Sequence, residues 1–515
     1  MNIKTNNFRQ IIKSDWKFLT CIISFGLLLH LFLWIIWPLH AGADAHTYIY
    51  YYLDSFNSSP VYHQLMCFRT PIAPFFYGIL LSLGGTYTTS IILELMSLSS
   101  IFFIYLILIP WGKWPARITS TIFLLMIPFH IQFHQVGSDG IFGYLVIIFC
   151  LVFINAIINN KMKYWILLGV VVALLTLTRP AGITFSIAFI AIPFLKLGWK
   201  KTFSYILVFL ISFGFLISGY IIYKGIRYSD FSISRGFNNT TFYRIFRLQE
   251  SAIKAENGEN TKKFIEIIKN NVLTTDVYRN YNVTINDFLT YKPNGRFTSD
   301  SIAIVDIKEG WNTNYKLLFK VSLEAIKADP WSFFKTYLKD FIKINTLKTF
   351  LPEIPVKNIN LETKQINKTS LPTPTEGEMI PFPNHWWLST RPDGSLPNEN
   401  EEKEFIEKAD KIIQQYNNEG NLKIGKIFNY LWDTFSISIA YLWILTIAGL
   451  LISKGKDRIY LLTIIIIYLI YIAGTLQGTP PWLKYRLPLD SILLISGLLS
   501  LYLIFRKVTT NKGEK

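Results

Sequence analysis

Apolar runs about twenty residues long recur along most of this 515-residue chain, and that recurrence constrains its fold more than any other feature. Each run is long enough to cross a hydrocarbon core ~30 Å thick as a helix, the form that satisfies every backbone N–H and C=O without water. Crossings are expected near 18–38, 88–110, 118–133, 139–158, 164–178, 181–197, 202–223, 429–452, 458–476 and 487–506. The pattern predicts an all-α polytopic membrane protein with about ten transmembrane helices. The apolar piece from Pro71 to Leu83 is shorter and opens on proline, which predicts a half-helix lying in the interface or dipping into it.

Charge between the runs tests this count. Lys113 and Arg117, Lys161 and Lys163, Lys196 with Lys200 and Lys201, Lys454 with Lys456 and Arg458, and the tail Arg506, Lys507 and Lys512 all fall on the side of the basic N-terminus. A full crossing at Pro71 to Leu83 would move the later clusters to the other face, so both termini are expected in the cytoplasm. The formal net charge of +17 is then mostly an orientation signal, and no nucleic-acid partner is expected. With three cysteines, two of them (Cys21 and Cys150) in apolar runs, neither a disulfide framework nor a cysteine zinc motif can form. Lys4, Arg9, Lys13 and Lys17 precede the first run and no small-residue cleavage site follows it before Pro38, which predicts an uncleaved anchor.

Chemistry-bearing residues gather on the opposite face. Residues 1–223 form an N-terminal transmembrane module whose first outer loop, 39–87, holds Asp44, Asp54, His46, His63, Arg69 and a run of tyrosines. Residues 429–515 form a C-terminal module, and 224–428, charged and Asn-rich with amphipathic stretches at Lys262–Asn271 and Tyr315–Ile342, reads as a mostly helical extracytoplasmic domain. Its Pro-, Asn- and Thr-rich part, 351–400, reads as one long loop before an acidic-basic helix at Glu401–Tyr416. Within that loop His385-Trp386-Trp387 reads as an interfacial anchor. An aspartate near hydrocarbon is costly, ~2.5–3.5 kcal/mol at the centre of a span and less toward its ends. Asp44 is for that reason the leading site residue.

The order Gly42-Ala43-Asp44-Ala45-His46-Thr47-Tyr48, then Arg69-Thr70-Pro71, Pro74 and Gly84-Gly85, resembles the GT-C membrane glycosyltransferases, in particular the protein O-mannosyltransferase and lipid A aminoarabinose transferase branch. Val136-Gly137-Ser138-Asp139 resembles the second acidic position of that family, and Leu177-Thr178-Arg179-Pro180-Ala181-Gly182 its Leu-x-Arg-Pro-x-Gly turn. Lys484-Tyr485-Arg486-Leu487-Pro488 resembles its Arg-Tyr-Arg-x-Pro segment, with lysine in place of the first arginine. The resemblance covers roughly the first two hundred residues and the last ninety; 224–428 has no counterpart. It implies a GT-C-like bundle in a bacterial cytoplasmic (inner) membrane. The enzyme would carry a sugar from a polyprenyl-phosphate donor to an extracytoplasmic acceptor on lipid, glycan or protein, with inversion.

Each site residue carries a functional reading and a plainer one. Asp44 is the candidate catalytic base, able to supply ~10²- to 10⁴-fold; it also fits a helix N-cap worth ~1 kcal/mol. Asp139 can share the acceptor or a divalent cation with Asp44, or open its helix as part of a Ser-Asp cap. Arg69, Arg179, Lys484 and Arg486 are the candidates for binding the donor phosphate, against plain headgroup contact. His46 and Tyr48 are expected to help bind substrate beside Asp44. His130 and His134, four residues apart, share one helix face and can chelate a metal, against a packing role as interfacial rings. The rival function is a polytopic transporter or flippase of lipid-linked saccharides, which would place charges deep within spans. No Walker-type glycine loop supports an ATP-driven pump.

Overall fold

The computed structural model describes residues 13–42, 44–248, 252–290, 295–355, 391–395, 397–416, 418–436, 438–478 and 483–512. Lys4, Arg9, the His385-Trp386-Trp387 anchor and most of the expected loop lie outside them. The protein is an all-α polytopic membrane protein. Among the described residues, six helices are long and apolar enough to cross a membrane: Trp16–Ile36, Ile72–Trp111, Ser138–Asn159, Trp199–Tyr228, Gly455–Leu476 and Leu483–Thr509. A bent pair and three shorter apolar helices, Met162–Thr178, Pro180–Leu195 and Ala440–Ile452, occupy the remaining expected positions.

Three of those positions differ from a straight α-helix, each for a local reason. The 118–133 run is two helices, Lys113–Leu124 and Ile127–His134, bent by 60° where Pro128 cannot continue the hydrogen-bond ladder. Pro180–Ala191 winds as a 3-10 helix, whose rise of ~2.0 Å per residue lets a short apolar run reach farther than an α-helix would. The expected crossing at 429–452 begins only at Ala440, because Leu422–Phe435 is a separate helix capped by the Asn421 side chain. The helix that starts at Ile72 runs to Leu108 through a break at Gly84 and Gly85, and Gly85 has φ +67°, a conformation a side chain would strain. Thirty-seven residues of straight helix would measure ~55 Å, so the break separates a short outer helix from the crossing proper.

Helix ends are what position the site. The first helix ends at Ile36 and delivers the two-residue strand β1 (His40–Ala41), which pairs in parallel with β2 (Gln135–Val136) in the register His40–Gln135 and Ala41–Val136. A Cβ on Gly42 would stand 2.7 Å from the Val136 carbonyl oxygen, so only glycine permits the two segments to approach this closely. Asp44 leaves β1 and Asp139 leaves β2, which draws two acids ninety-five positions apart into one place. Thr70 Oγ1 donates to the Thr178 carbonyl at 3.0 Å and ties the start of the short outer helix to the turn that carries Arg179.

The described residues of 237–346 fold as helices around their own apolar core, including Phe242, Phe264, Ile268, Phe288, Phe297 and Val321. Arg235 is buried there and gives both terminal nitrogens to Asp306, at 2.5 and 2.7 Å, and one to Gln64 at 2.6 Å. That pair ties the loop ahead of Arg69 to the helix Gly295–Glu309. The stretch Tyr315–Ile342 is two helices, Lys316–Ala328 and Pro330–Thr346, separated at Asp329, which caps the second through Ser332 N–H. The second presents Trp331, Phe334, Leu338 and Ile342 on one exposed face while Tyr337 donates to the Ala473 carbonyl. The helix Glu399–Ile413 packs Phe405 against Tyr50 and Tyr62, over the helix that follows Asp44.

Candidate active site

Asp44 sits at the N-cap position of the helix Ala45–Asp54, yet its side chain makes no capping hydrogen bond. The carboxylate accepts from the Arg69 guanidinium at 2.8 Å instead. Burial works to raise its pKa, but Arg69, Lys484 and Arg179 outweigh burial and hold it down to about 2. Asp44 is therefore ionised throughout the ordinary pH range. The same guanidinium lies over the Tyr48 ring, 5.2 Å from its centroid, and burial raises the Tyr48 phenol so that it stays a donor.

The second acid has its own arginine. Asp139, in the first turn of Ser138–Asn159, accepts from Arg179 at 2.5 Å, and Gly137 rather than Ser138 holds the N-cap position. Ser138 joins the two halves: its hydroxyl oxygen accepts from Arg179 Nε at 2.8 Å and from the Tyr48 hydroxyl at 3.1 Å. Tyr77, on the short outer helix, donates to the Gly137 carbonyl at 2.8 Å and accepts from Gly137 N–H at 3.2 Å, fixing the turn into Asp139. Two aspartates and two arginines thus form a charge-balanced quartet at the ends of four chain segments, with a hydroxyl pair between them.

Residues 69–222 match the sequence family described as dolichyl-phosphate-mannose-protein mannosyltransferase. That segment, about a third of the chain, is similar to this family of membrane glycosyltransferases. The matched span takes in Arg69, Asp139 and Arg179, while Asp44 and Lys484 lie outside it. Among solved structures the chain is similar to an Archaeoglobus fulgidus oligosaccharyltransferase tethered with an acceptor peptide containing the NVT sequon. It is also similar to the oligosaccharyltransferase AglB of that organism in complex with an inhibitory peptide and a dolichol-phosphate. Both comparisons give 12% identity and a TM-score of 0.40 and cover 98% of this chain. The chain spans about half the length of those structures, 51% and 52%. No curated protein matches it in sequence.

Around the matched segment the other expected residues divide. Lys484 lies within electrostatic reach of Asp44, and the neighbouring Tyr485 within reach of Asp44, Asp139 and Arg179. His46 stands edge-on to Tyr50 on the helix after Asp44, with ring centroids 5.8 Å apart. Arg486, expected at the donor phosphate, is instead fully buried and occupied: Nε donates to Asp490 at 3.0 Å, and Nη1 to the Ile344 and Leu347 carbonyls at 2.7 and 2.8 Å. It braces the end of the helix Pro330–Thr346 against the last span. Asp54 accepts from the Val61 and Tyr62 amides at 3.0 and 2.6 Å and shapes the loop, away from the quartet.

The expected metal ligands also redistribute. Asp44 and Asp139 each have a guanidinium, so the pair is neutral without a cation. His130 and His134 do not act together: the chain bends between them and the preceding helix, His130 uses Nδ1 on Ser97 at 2.8 Å and Nε2 on the Phe123 carbonyl at 3.0 Å, and His134 turns to Glu94 at 3.2 Å. Tyr77 and Ser138, which hold the quartet together, were not among the residues expected from sequence. Their alignment depends on the β1–β2 pairing, which no local pattern announces.

Proposed function

We propose that this protein transfers a sugar from a polyprenyl-phosphate carrier to an acceptor on the extracytoplasmic face of the membrane. The observation that carries the reading is the Asp44–Arg69 and Asp139–Arg179 quartet, with Lys484 close by, at the ends of membrane-crossing segments. The positive-inside distribution of the short basic loops supports placing these ends outside.

In this reading the donor phosphate enters beside Arg69, Arg179 and Lys484, where a guanidinium can donate to two phosphate oxygens at once. A carboxylate held at about 2 is a weak base at neutral pH, so Asp44 gains basicity only as Arg69 turns from it to the phosphate. The acceptor hydroxyl or amine then attacks the anomeric carbon from the face opposite the phosphate. The carbon–oxygen bond to the phosphate breaks, its electron pair leaves on the polyprenyl phosphate, and the acceptor proton passes to Asp44. The configuration at the anomeric carbon inverts. Asp139, held by Arg179 and Ser138, orients the acceptor.

Binding of a C55 polyprenyl phosphate to the purified full chain in detergent, measured by native mass spectrometry, tests the donor half of this account. The wild type retains the lipid phosphate, and Arg69→Gln weakens it by roughly tenfold or more, the size of one lost charge-assisted contact. Equal retention by both proteins, or preference for the uncharged polyprenol, would remove the phosphate site.

A further inference from the structure

Within the bundle, three side chains from distant parts of the chain converge. His30 on the first span, Glu94 on the long helix Ile72–Leu108 and His134 just ahead of β2 bring one ligand atom each within 4.8 Å of one another. Both imidazoles are buried, 2% and 1% exposed. His30 Nδ1 and Glu94 Oε2 are in contact, and His134 Nε2 is 3.2 Å from Glu94 Oε1. Yet His30 Nδ1, Glu94 Oε2 and His134 Nε2 are buried atoms that make no hydrogen bond.

The surrounding hydrogen bonds explain why. The Phe123 carbonyl only accepts, so His130 Nε2, 3.0 Å away, carries its proton and His130 Nδ1 is bare. Ser97 Oγ, 2.8 Å from that bare nitrogen, donates to it, and so accepts from His30 Nε2 at 3.2 Å. His30 therefore points a bare Nδ1 at the carboxylate. His134 turns Nε2 to the same carboxylate, 3.2 Å from Glu94 Oε1, and that nitrogen makes no hydrogen bond to it. Two ring nitrogens and a carboxylate then face one another. A protonated Glu94 has a single O–H and satisfies one of the two nitrogens; a divalent cation takes all three groups.

We propose that His30, Glu94 and His134 form a zinc site. Two neutral imidazoles, that of His30 fixed in tautomer by the Ser97 hydroxyl behind it, and one carboxylate are a borderline-soft set that suits Zn²⁺, and bonds of ~2.0–2.2 Å require the three atoms to adjust only modestly around the ion. The ion clips the first span and the long helix to the segment that becomes β2, five residues ahead of Asp139. Its role is to fix the β1–β2 pairing, and it stands apart from the reacting groups.

Metal analysis of the full chain, purified through an affinity tag free of histidine and dialysed after exposure to zinc chloride, tests this. About one zinc per chain is expected for the wild type and for Asp44→Asn, with Glu94→Gln and His134→Gln binding at least ~10-fold more weakly. Cobalt substitution in the wild type gives a second readout that depends on no variant: visible d–d bands of a tetrahedral or five-coordinate centre are expected, bleached by added zinc. Absence of zinc and of cobalt bands from the folded wild type overturns the site. So does undiminished zinc in both variants, or zinc lost with Asp44→Asn and kept without Glu94. Retention of zinc by a protein that binds no polyprenyl phosphate would remove the proposed function and leave this site standing.

Discussion

A carboxylate at a helix start can cap the helix or serve the solvent side, and at Asp44 the choice is visible in one contact. The side chain forgoes the cap and pairs with Arg69. Because its folded pKa of about 2 lies below the ordinary value of 3.8, the pair stabilises the fold fully above that ordinary value, and the contribution fades as the pH falls through about 2. Arg69→Gln removes the strongest attraction and lets burial raise the carboxyl. The acid limb of kcat/KM therefore moves to higher pH in that variant, while the alkaline limb stays; an unmoved acid limb would mean that Asp44 takes no part before or during transfer. Arg486 answers to a different test. Arg486→Gln leaves Asp490 buried without its cation and should lower stability by ~3–5 kcal/mol, seen as a large fall in the thermal midpoint of the detergent-solubilised protein, whether or not donor lipid is present. A shift only in donor affinity would return Arg486 to the phosphate. Sequence alone placed Arg486 and Arg179 alike, each at a span end within two residues of a proline. Only tertiary contacts separate them, since the carbonyls of Ile344 and Leu347 that occupy Arg486 lie about 140 positions away.

At the level of elements, the apolar runs were readable because the bilayer demands length and hydropathy from each span by itself. What the runs did not disclose is how they bend. Pro128 splits one, the 3-10 winding lengthens another, and Asn421 starts a separate helix ahead of a third. The Gly84-Gly85 break was foreshadowed by the shortness of the Pro71–Leu83 piece. The least legible element is also the smallest: β1 and β2 have two residues each, too few for any periodic pattern, yet they bring the acids together. Gly42 is the point where this can be tested. Gly42→Ala sets a Cβ against the Val136 carbonyl and displaces Asp44 from Asp139. Transfer activity should fall by as much as ~10²-fold, since misplacement by ~1 Å has that effect, with the thermal midpoint nearly unchanged. Full activity in Gly42→Ala would show that the pairing is not needed to align the site.

Across the whole molecule, the membrane module, the helices described within 237–346 and the helix Glu399–Ile413 share the loop that carries Asp44 and Arg69. Gln64 joins Arg235 and Asp306 on one side of it, and Tyr62 donates to Glu402 on the other. Composition had marked 224–428 as different from the spans, but its burial of Arg235, Asp306 and Arg244 was hidden, because buried ion pairs look like surface charge until the fold closes over them. The same holds for His30, Glu94 and His134, which lie 40 or more positions apart. The central claim, that Asp44 serves sugar transfer from a lipid carrier, is tested most directly in cells. Wild-type and Asp44→Asn strains with equal amounts of the protein in the membrane are compared by mass spectrometry of lipid-linked sugars and of surface glycans. The account predicts that a polyprenyl-phosphate sugar accumulates in the variant and that one glycan loses a decoration. Unchanged pools of both would contradict it.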